Sequence, residues 1–163
     1  MDLLKKISPA MYGIIIICFF LPFTTASCSG QKILTLTGFQ MVTGTTVRQP
    51  NMFGEQPKQK KIGTEPYAIA GFLLALAGFF AISFSRNKTA YFFSAIISAA
   101  GAVCLLLLKT KLDREALNSG QGLILLDYDF GYWASFIIFI LSAAMNGYIY
   151  KQFAQKKQAY PTG

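Results

Sequence analysis

The chain has 163 residues, of which 53% are hydrophobic and only 13% are charged, and its formal net charge is +8. This composition is too apolar for an ordinary soluble domain and indicates a single polytopic membrane domain. The sequence has no histidine, which excludes the commonest general base, haem ligand and zinc ligand.

Four apolar segments approach or exceed the roughly 20 residues that a helix needs to cross a bilayer core. None of them contains Asp, Glu, Lys or Arg. They predict an all-α membrane protein, a bundle of four transmembrane helices with a small extracytoplasmic β-hairpin or sheet as a cap. The helices are expected at about 8–27, 67–84, 89–108 and 130–150, the outer loops at 28–66 and 109–129, and a cytoplasmic tail at 151–163.

The first segment has two interpretations. Lys5 and Lys6, an apolar run and small residues before Cys28 also fit a lipoprotein signal, which would be cleaved and leave the chain anchored at Cys28. Lipid attachment usually requires a large aliphatic residue three places before the cysteine, and this place holds Thr25. Because three further spans follow, we expect an uncleaved helix. A free thiol and a disulfide to a partner chain stay open for Cys28.

Basic residues set the expected orientation. Lys5 and Lys6 immediately precede the first helix, and Arg86 and Lys88 lie in the short connector SRNKT. Short cytoplasmic loops are enriched in Lys and Arg. Both termini are therefore expected in the cytoplasm.

The outer loops contain β-strand patterns. The stretch KILTLTGFQMVTGTTV alternates aliphatic residues with threonine and is broken by two glycines, which predicts two short strands paired as a hairpin. The following RQPNMFGEQPKQKKIGTEP predicts an irregular connection. In the second loop, a helical turn over 112–117 precedes GLILLDYD, a candidate third strand beside the hairpin.

This layout resembles that of the claudin-type four-helix proteins, which implies their topology of four helices with an outer β cap. The family's tryptophan and paired cysteines are missing from the first outer loop, which has Cys28 alone and no tryptophan. Junction formation is therefore not inferred. The stretch LPFTTASCSGQKILTLTGFQMVTG resembles a segment of small bacterial membrane proteins. The expected location is the bacterial inner membrane.

The outer loops also supply candidate contact residues. On a strand, Asp127 and Asp129 would share a face, where they could hold a cation, meet a basic residue of the first loop, or solvate the strand end. A basic cluster could touch lipid headgroups or an acidic partner, or remain a solvated loop. It consists of Lys58, Lys60 and Lys61.

Small residues at helical spacing predict close helix contacts inside the membrane. They either pack the helices of this chain against each other or face another protein. Asn146 is the most polar point of the fourth helix and is expected to make an interhelical hydrogen bond. The other candidates are Gly71, Ala75 and Gly78 on the second helix, and Ser94 and Ser98 on the third.

The absence of ionisable residues within the four spans argues against a transporter, a channel or an intramembrane enzyme. No catalytic, metal-binding or cofactor-binding residue is predicted, and no nucleic acid is expected. The leading hypothesis is a non-catalytic accessory or scaffold subunit that binds a larger membrane assembly through helix faces and its cap. Its partners would be the lipid bilayer and other integral membrane proteins. The alternative is a small oligomeric channel or transport-associated protein whose path lies between protomers.

Overall fold

A computed structural model describes residues 2–28, 31–48, 59–84, 87–120 and 124–159. Within these ranges the chain forms five helices and five strands. In chain order they are α1 (Asp2–Cys18), β1 (Pro22–Cys28), β2 (Gln31–Thr37), α2 (Gly38–Thr43), β3 (Thr45–Arg48), β4 (Gln59–Ile62), α3 (Pro66–Phe84), α4 (Lys88–Gly120), β5 (Ile124–Tyr128) and α5 (Phe130–Ala159).

The first helix is shorter than predicted. It ends at Cys18, and a tight turn of backbone hydrogen bonds over 19–21 leads directly into β1. Pro22 begins this strand and has no N–H to donate to a helix, and the threonines that follow are β-branched and favour extended backbone. The prediction of one helix over 8–27 is therefore wrong in its second half.

A three-stranded antiparallel sheet of order β2-β1-β5 forms part of a cap at the end of the helices where α1 ends and α5 begins. Its central strand places Thr25 opposite Thr35 of β2 and opposite Asp127 of β5. The strand predicted in GLILLDYD is confirmed as β5. The predicted hairpin within KILTLTGFQMVTGTTV is wrong, because its two strands pair elsewhere: β2 with β1, and β3 with β4.

The β3–β4 pair is a separate two-stranded sheet. Strand β4 covers Gln59–Ile62, inside the segment predicted to be irregular, so that prediction is wrong at these four residues. The remainder of the irregular segment includes residues 49–58, which lie outside the described residues.

A short helix, α2, separates β2 from β3. The Thr37 hydroxyl accepts a hydrogen bond from Gln40 N–H, and the Gln40 side chain accepts one from Thr37 N–H, which forms a capping box. Gly44 ends the helix with φ 76°, a left-handed conformation that glycine adopts without strain. The Phe39 N–H donates to Phe19 O at 2.7 Å, which fixes α2 to the end of α1.

Helices α4 and α5 are longer than predicted. Helix α4 continues twelve residues past the predicted end at Leu108, about 18 Å at 1.5 Å per residue. Ion pairs one turn apart, Lys109–Asp113 and Lys111–Glu115, support this extension. Helix α5 continues to Ala159. Both helices therefore extend beyond the ends predicted for their membrane spans, at Leu108 and Tyr150.

Helix α1 packs against α3 and α5, and α4 packs against the same two helices on the other side. Aromatic rings fill much of the space between them. At the end where the sheet lies, α5 lies directly on the turn after α1, because Gly131 has no Cβ to collide with the carbonyl oxygen of Pro22. The largest fully buried side chains in the four helices and the turn after α1 include Tyr12, Phe19, Ile82, Tyr91, Leu105, Tyr132 and Phe139.

Within the part of the chain that the structure describes, three helices are long and apolar enough to cross a membrane: Pro66–Phe84, Lys88–Asn118 and Phe130–Phe153. The apolar part of α1, Ile7–Cys18, is shorter. Large apolar side chains also cover the outward faces of these helices, for example Leu73, Val103 and Ile137. Such faces suit lipid, so the structure supports an integral membrane protein.

Candidate functional site

Polar side chains from α1, α4 and α5 meet inside the bundle. We call this group the central polar cluster, and every one of its side chains is 0% exposed. Polar groups inside an apolar environment are costly unless they bond to one another. The cluster consists of Ser8, Tyr12, Ser94, Ser98, Ser142 and Asn146.

Tyr12 is the centre of the cluster. Its hydroxyl donates to Ser94 O at 2.8 Å and also lies within hydrogen-bond distance of the hydroxyls of Ser94 and Ser98. The Ser98 hydroxyl donates in turn to the Ser142 hydroxyl at 3.2 Å. One tyrosine of α1 therefore connects to α4, and through Ser98 to α5.

Asn146 completes the connection between α1 and α5. Its side-chain oxygen accepts a hydrogen bond from Ser8 Oγ at 2.6 Å, and its Nδ2 donates to Ser142 Oγ at 3.2 Å. The hydrogen bond between α1 and α5 thus uses the amide oxygen of Asn146 as its acceptor. The hydrogen bond that the amide nitrogen donates stays within α5. The asparagine belongs to the same hydrogen-bonded chain as Tyr12.

The small residues of α3 lie against α1. Gly71, Ala75 and Gly78 are buried. A Cβ at Gly78 would overlap the ring of Tyr12, and one at Gly71 would lie 3.6 Å from the ring of Phe19. Two aromatic rings of the same chain therefore pack against this stripe, that of Tyr12 on α1 and that of Phe19 just after α1.

The central polar cluster is built for packing. Its hydroxyl and amide groups bond to each other, and hydrogen bonds between helices hold them in register within the membrane. Among the described residues, no three or more Cys, Asp or Glu side chains come together in a way that could hold a metal ion. The cluster fixes α1, α4 and α5 relative to one another.

A second cluster holds the sheet against the extension of α4. The Tyr128 hydroxyl donates to Asp113 Oδ1 at 2.6 Å and lies 3.1 Å from Lys109 O. Lys109 Nζ pairs with Asp113 Oδ2 at 2.8 Å and lies 4.6 Å from the centre of the Tyr128 ring. These three residues form what we call the cap anchor.

Burial, with the Asp113 carboxylate beside it, raises the pKa of Tyr128 above its usual value near 10. We expect Tyr128→Phe to lower the free energy of unfolding by about 1 kcal/mol, the net contribution of one partly buried hydrogen bond. The ring and its contact with Lys109 remain. Because the folded state favours the neutral phenol, this contribution is complete below the unfolded pKa and is lost as the pH rises above about 10.

The check is chemical unfolding of the wild type and Tyr128→Phe in detergent from pH 6 to pH 11. The stability difference should be constant to about pH 9 and shrink above pH 10, since the unfolded phenol ionises first. A difference that grows at alkaline pH would contradict the assigned hydrogen bond.

The two predicted acidic residues have different surroundings. Asp127 lies on β5 and is exposed, whereas Asp129 follows the strand and is partly buried. Asp129 Oδ2 accepts a hydrogen bond from Thr25 Oγ1 at 2.6 Å, and its N–H donates to Phe23 O at 2.9 Å. Asp129 thus fastens the start of α5 to β1.

The remaining candidates of the outer loops are described only in part. The backbone of Cys28 ends β1, where it is paired with Gln31 and Ile124. Lys60 and Lys61 belong to β4 and pair with Val47 and Thr46. The side chains of Cys28, Lys60 and Lys61, and the whole of Lys58, lie outside the described residues.

Sequence reasoning did not identify Ser8, Tyr12 or Tyr128 as structural centres. In the sequence Tyr12 is one of several aromatic residues in the apolar segments, yet its ring fits against Gly78 and its hydroxyl bonds to α4. The sequence does contain a tyrosine on one span, a row of glycines on a second and a row of serines on a third. These residues can be recognised as partners only when it is known which helices are neighbours.

Comparison with protein-family models and with curated proteins found no match for this chain.

Proposed function

We propose that the chain is a non-catalytic accessory or scaffold subunit that binds a larger integral membrane assembly. The observation that carries the proposal is the exposure of large apolar side chains on the outer cap. Leu117 near the end of α4 is 67% exposed, Leu125 on β5 is 64% exposed, and Phe130 at the start of α5 is 76% exposed. Large apolar side chains that are exposed outside the lipid favour a protein interface.

Strand β5 supports this proposal. Its side chains alternate: Leu126 and Tyr128 point toward the protein and are partly buried, whereas Leu125 and Asp127 are exposed. Among the described strands, β5 has a single neighbour, β1, so it is an edge of the sheet. An edge strand with an exposed leucine favours coverage by an extracytoplasmic segment of a partner.

We further propose a four-span arrangement with both termini in the cytoplasm, in the bacterial inner membrane. The outward face of α1 carries exposed Ile14 and Ile17, which suits contact with lipid beside the three long helices. Lys5 and Lys6 in the first part of α1, ahead of its apolar run, and Lys88 at the start of α4 favour a cytoplasmic location for this end. The cap then faces the outside.

The interior also favours a contact role over transport. The hydroxyls and the amide of the central polar cluster are bonded to one another and fully buried, so they offer no open polar path through one protomer. A path between protomers is the alternative function. It predicts a homo-oligomeric ring, whereas the accessory subunit predicts a hetero-complex.

The proposal is tested by photo-crosslinking in the native host. A photoreactive amino acid replaces Leu125 in one variant and Leu117 in another, and the same residue replaces Thr46, an exposed residue of β3 in the other sheet, as a matched control. We expect discrete adducts with one larger membrane protein from positions 125 and 117, and much weaker adducts from position 46.

Mass spectrometry of each adduct identifies the partner. Adducts with a second copy of this chain alone would contradict the accessory-subunit proposal and favour the homo-oligomer. Crosslinking to no protein at either leucine, with all variants inserted in the membrane at wild-type levels, would contradict the interface.

A further inference from the structure

A groove of about 720 Å³ lies between α4 and α5 on the outside of the bundle. Its base is made of small residues, with Ala95 and Ala99 on α4 and Ala143 and Gly147 on α5. Phe92 and Tyr148 are among the larger side chains that border it. The groove belongs to the apolar parts of two helices that are long enough to cross a membrane, so lipid surrounds it.

The groove runs toward the end of the bundle where α4 begins and α5 leaves its apolar part. Phe92 and Ala99 are seven residues apart on α4, about 10 Å along the helix axis. This length is within one leaflet of a hydrocarbon core about 30 Å thick. The groove therefore has the length to hold the part of an acyl chain nearest the headgroup, when the lipid enters from the nearer membrane surface.

Basic side chains stand at this entrance. Lys151 borders the groove and is exposed, and Lys88 Nζ lies 5.1 Å from the centre of the Tyr150 ring, which also borders it. No acidic side chain among the described residues pairs with either lysine. The described acidic side chains belong instead to the opposite end, namely Glu65, Asp113, Glu115, Asp127 and Asp129.

The sequence adds positive charge beside the same end. Lys5, Lys6 and Arg86 adjoin the helix termini that meet there, and Lys156 and Lys157 follow on α5, against one acidic residue, Asp2 at the start of α1. The phosphate of a lipid at the entrance would thus lie at about the same depth in the membrane as these basic side chains. The acyl chain of the lipid would fill the apolar groove. Basic residues at a membrane surface attract anionic headgroups in this way.

We propose that the groove between α4 and α5 is a binding site for an anionic phospholipid, with an acyl chain on Ala95, Ala99 and Ala143 and the phosphate between Lys88 and Lys151. The site prefers an anionic lipid over a zwitterionic one because the headgroup then leaves a net negative charge beside two lysines. The proposal is independent of the accessory-subunit function, since it concerns the opposite end of the molecule.

The test uses the full chain in detergent, titrated with phosphatidylglycerol or with phosphatidylcholine of the same acyl chains and observed by native mass spectrometry. We expect the wild type to bind phosphatidylglycerol roughly tenfold more tightly than phosphatidylcholine, in line with the attraction of two basic side chains near a surface. Raising the ionic strength should reduce this preference, because salt screens exposed charges.

Two variants separate the parts of the site. The double variant Lys88→Gln, Lys151→Gln should abolish the preference for phosphatidylglycerol. The double variant Ala99→Leu, Ala144→Leu should weaken the binding of both lipids, because it fills the groove at two exposed positions. The matched control, Lys32→Gln with Arg114→Gln, removes two exposed charges from the cap and should leave the preference unchanged.

Equal retention of the two lipids by the wild type would overturn the proposal, as would a preference that the control abolishes and the Lys88 and Lys151 variant keeps. A change of oligomeric state in the groove-filling variant, without any loss of lipid, would also overturn it, because a protein helix would then occupy the groove. The salt dependence of the wild type provides a test that does not depend on how the variants fold.

Discussion

Gly78→Ala is expected to destabilise the folded chain by about 1–3 kcal/mol, the usual cost of inserting a methyl group where there is no space. The added Cβ would overlap several ring carbons of Tyr12. That ring cannot move freely, because its hydroxyl is bonded to Ser94 O and to neighbouring hydroxyls. The collision therefore disturbs both the contact between α1 and α3 and the central polar cluster.

The matched control is Gly13→Ala, one residue along α1 from Tyr12. A Cβ at Gly13 has no neighbouring atom within 4 Å. Both substitutions replace a helical glycine with alanine, so both gain roughly 0.5–1 kcal/mol of helix propensity. Reversible unfolding in mixed micelles measures the difference. If the two variants unfold at the same denaturant concentration, the close contact between Gly78 and Tyr12 is refuted.

Tyr12→Phe is the second large effect, with an expected loss of about 1–2 kcal/mol in the free energy of unfolding, because buried partners of the hydroxyl are left unsatisfied. The ring still fills the space against Gly78. Tyr148→Phe is the control, since that side chain is 55% exposed. The same unfolding assay should show little change for the control.

A double-mutant cycle then tests the network itself. Ser98 contacts the Tyr12 hydroxyl, so Tyr12→Phe and Ser98→Ala should together cost less than the sum of the single changes. Strictly additive costs would indicate that the two groups do not interact. Neither result depends on the strands of the cap, which begin with β1 after the end of α1.

The apolar runs were sufficient to predict helices α3, α4 and α5, because twenty uncharged residues in sequence have few alternatives to a membrane helix. The ends of these helices were harder to predict. After Leu108 the sequence becomes polar, which suggests a loop. Lys109 and Asp113 nevertheless pair one turn apart, and α4 continues beyond its apolar part. Hydropathy reports where lipid ends, which is a different boundary from the end of a helix.

The start of β1 was misread for a related reason. The stretch from Pro22 to Ser27 is uncharged and follows an apolar helix, so it looks like more of the same span. Its β-branched threonines instead pair with the next strand, β2, and with the distant strand β5, so that Thr25 lies opposite both Thr35 and Asp127. Strand partners are set by tertiary contacts that a single local pattern does not contain.

The candidate residues inside the membrane were found by their composition, but their partners were not. The sequence showed Gly71, Ala75 and Gly78 as a row of small residues on one helix face. It did not show that the rings of Tyr12 and Phe19 pack against this row. Asn146 stood out as a polar point, and its partner Ser8 lies 138 residues away in the chain. Spacing within one helix identifies a surface, whereas the arrangement of helices determines what covers it.

We propose that this chain is a subunit of a larger membrane assembly. Extraction of the natively expressed protein in mild detergent, followed by native mass spectrometry of the intact complex, tests this proposal. We expect a defined complex that contains this chain and at least one larger membrane protein in fixed stoichiometry. Recovery of the chain alone, or of a ring made only of its own copies, would contradict the claim.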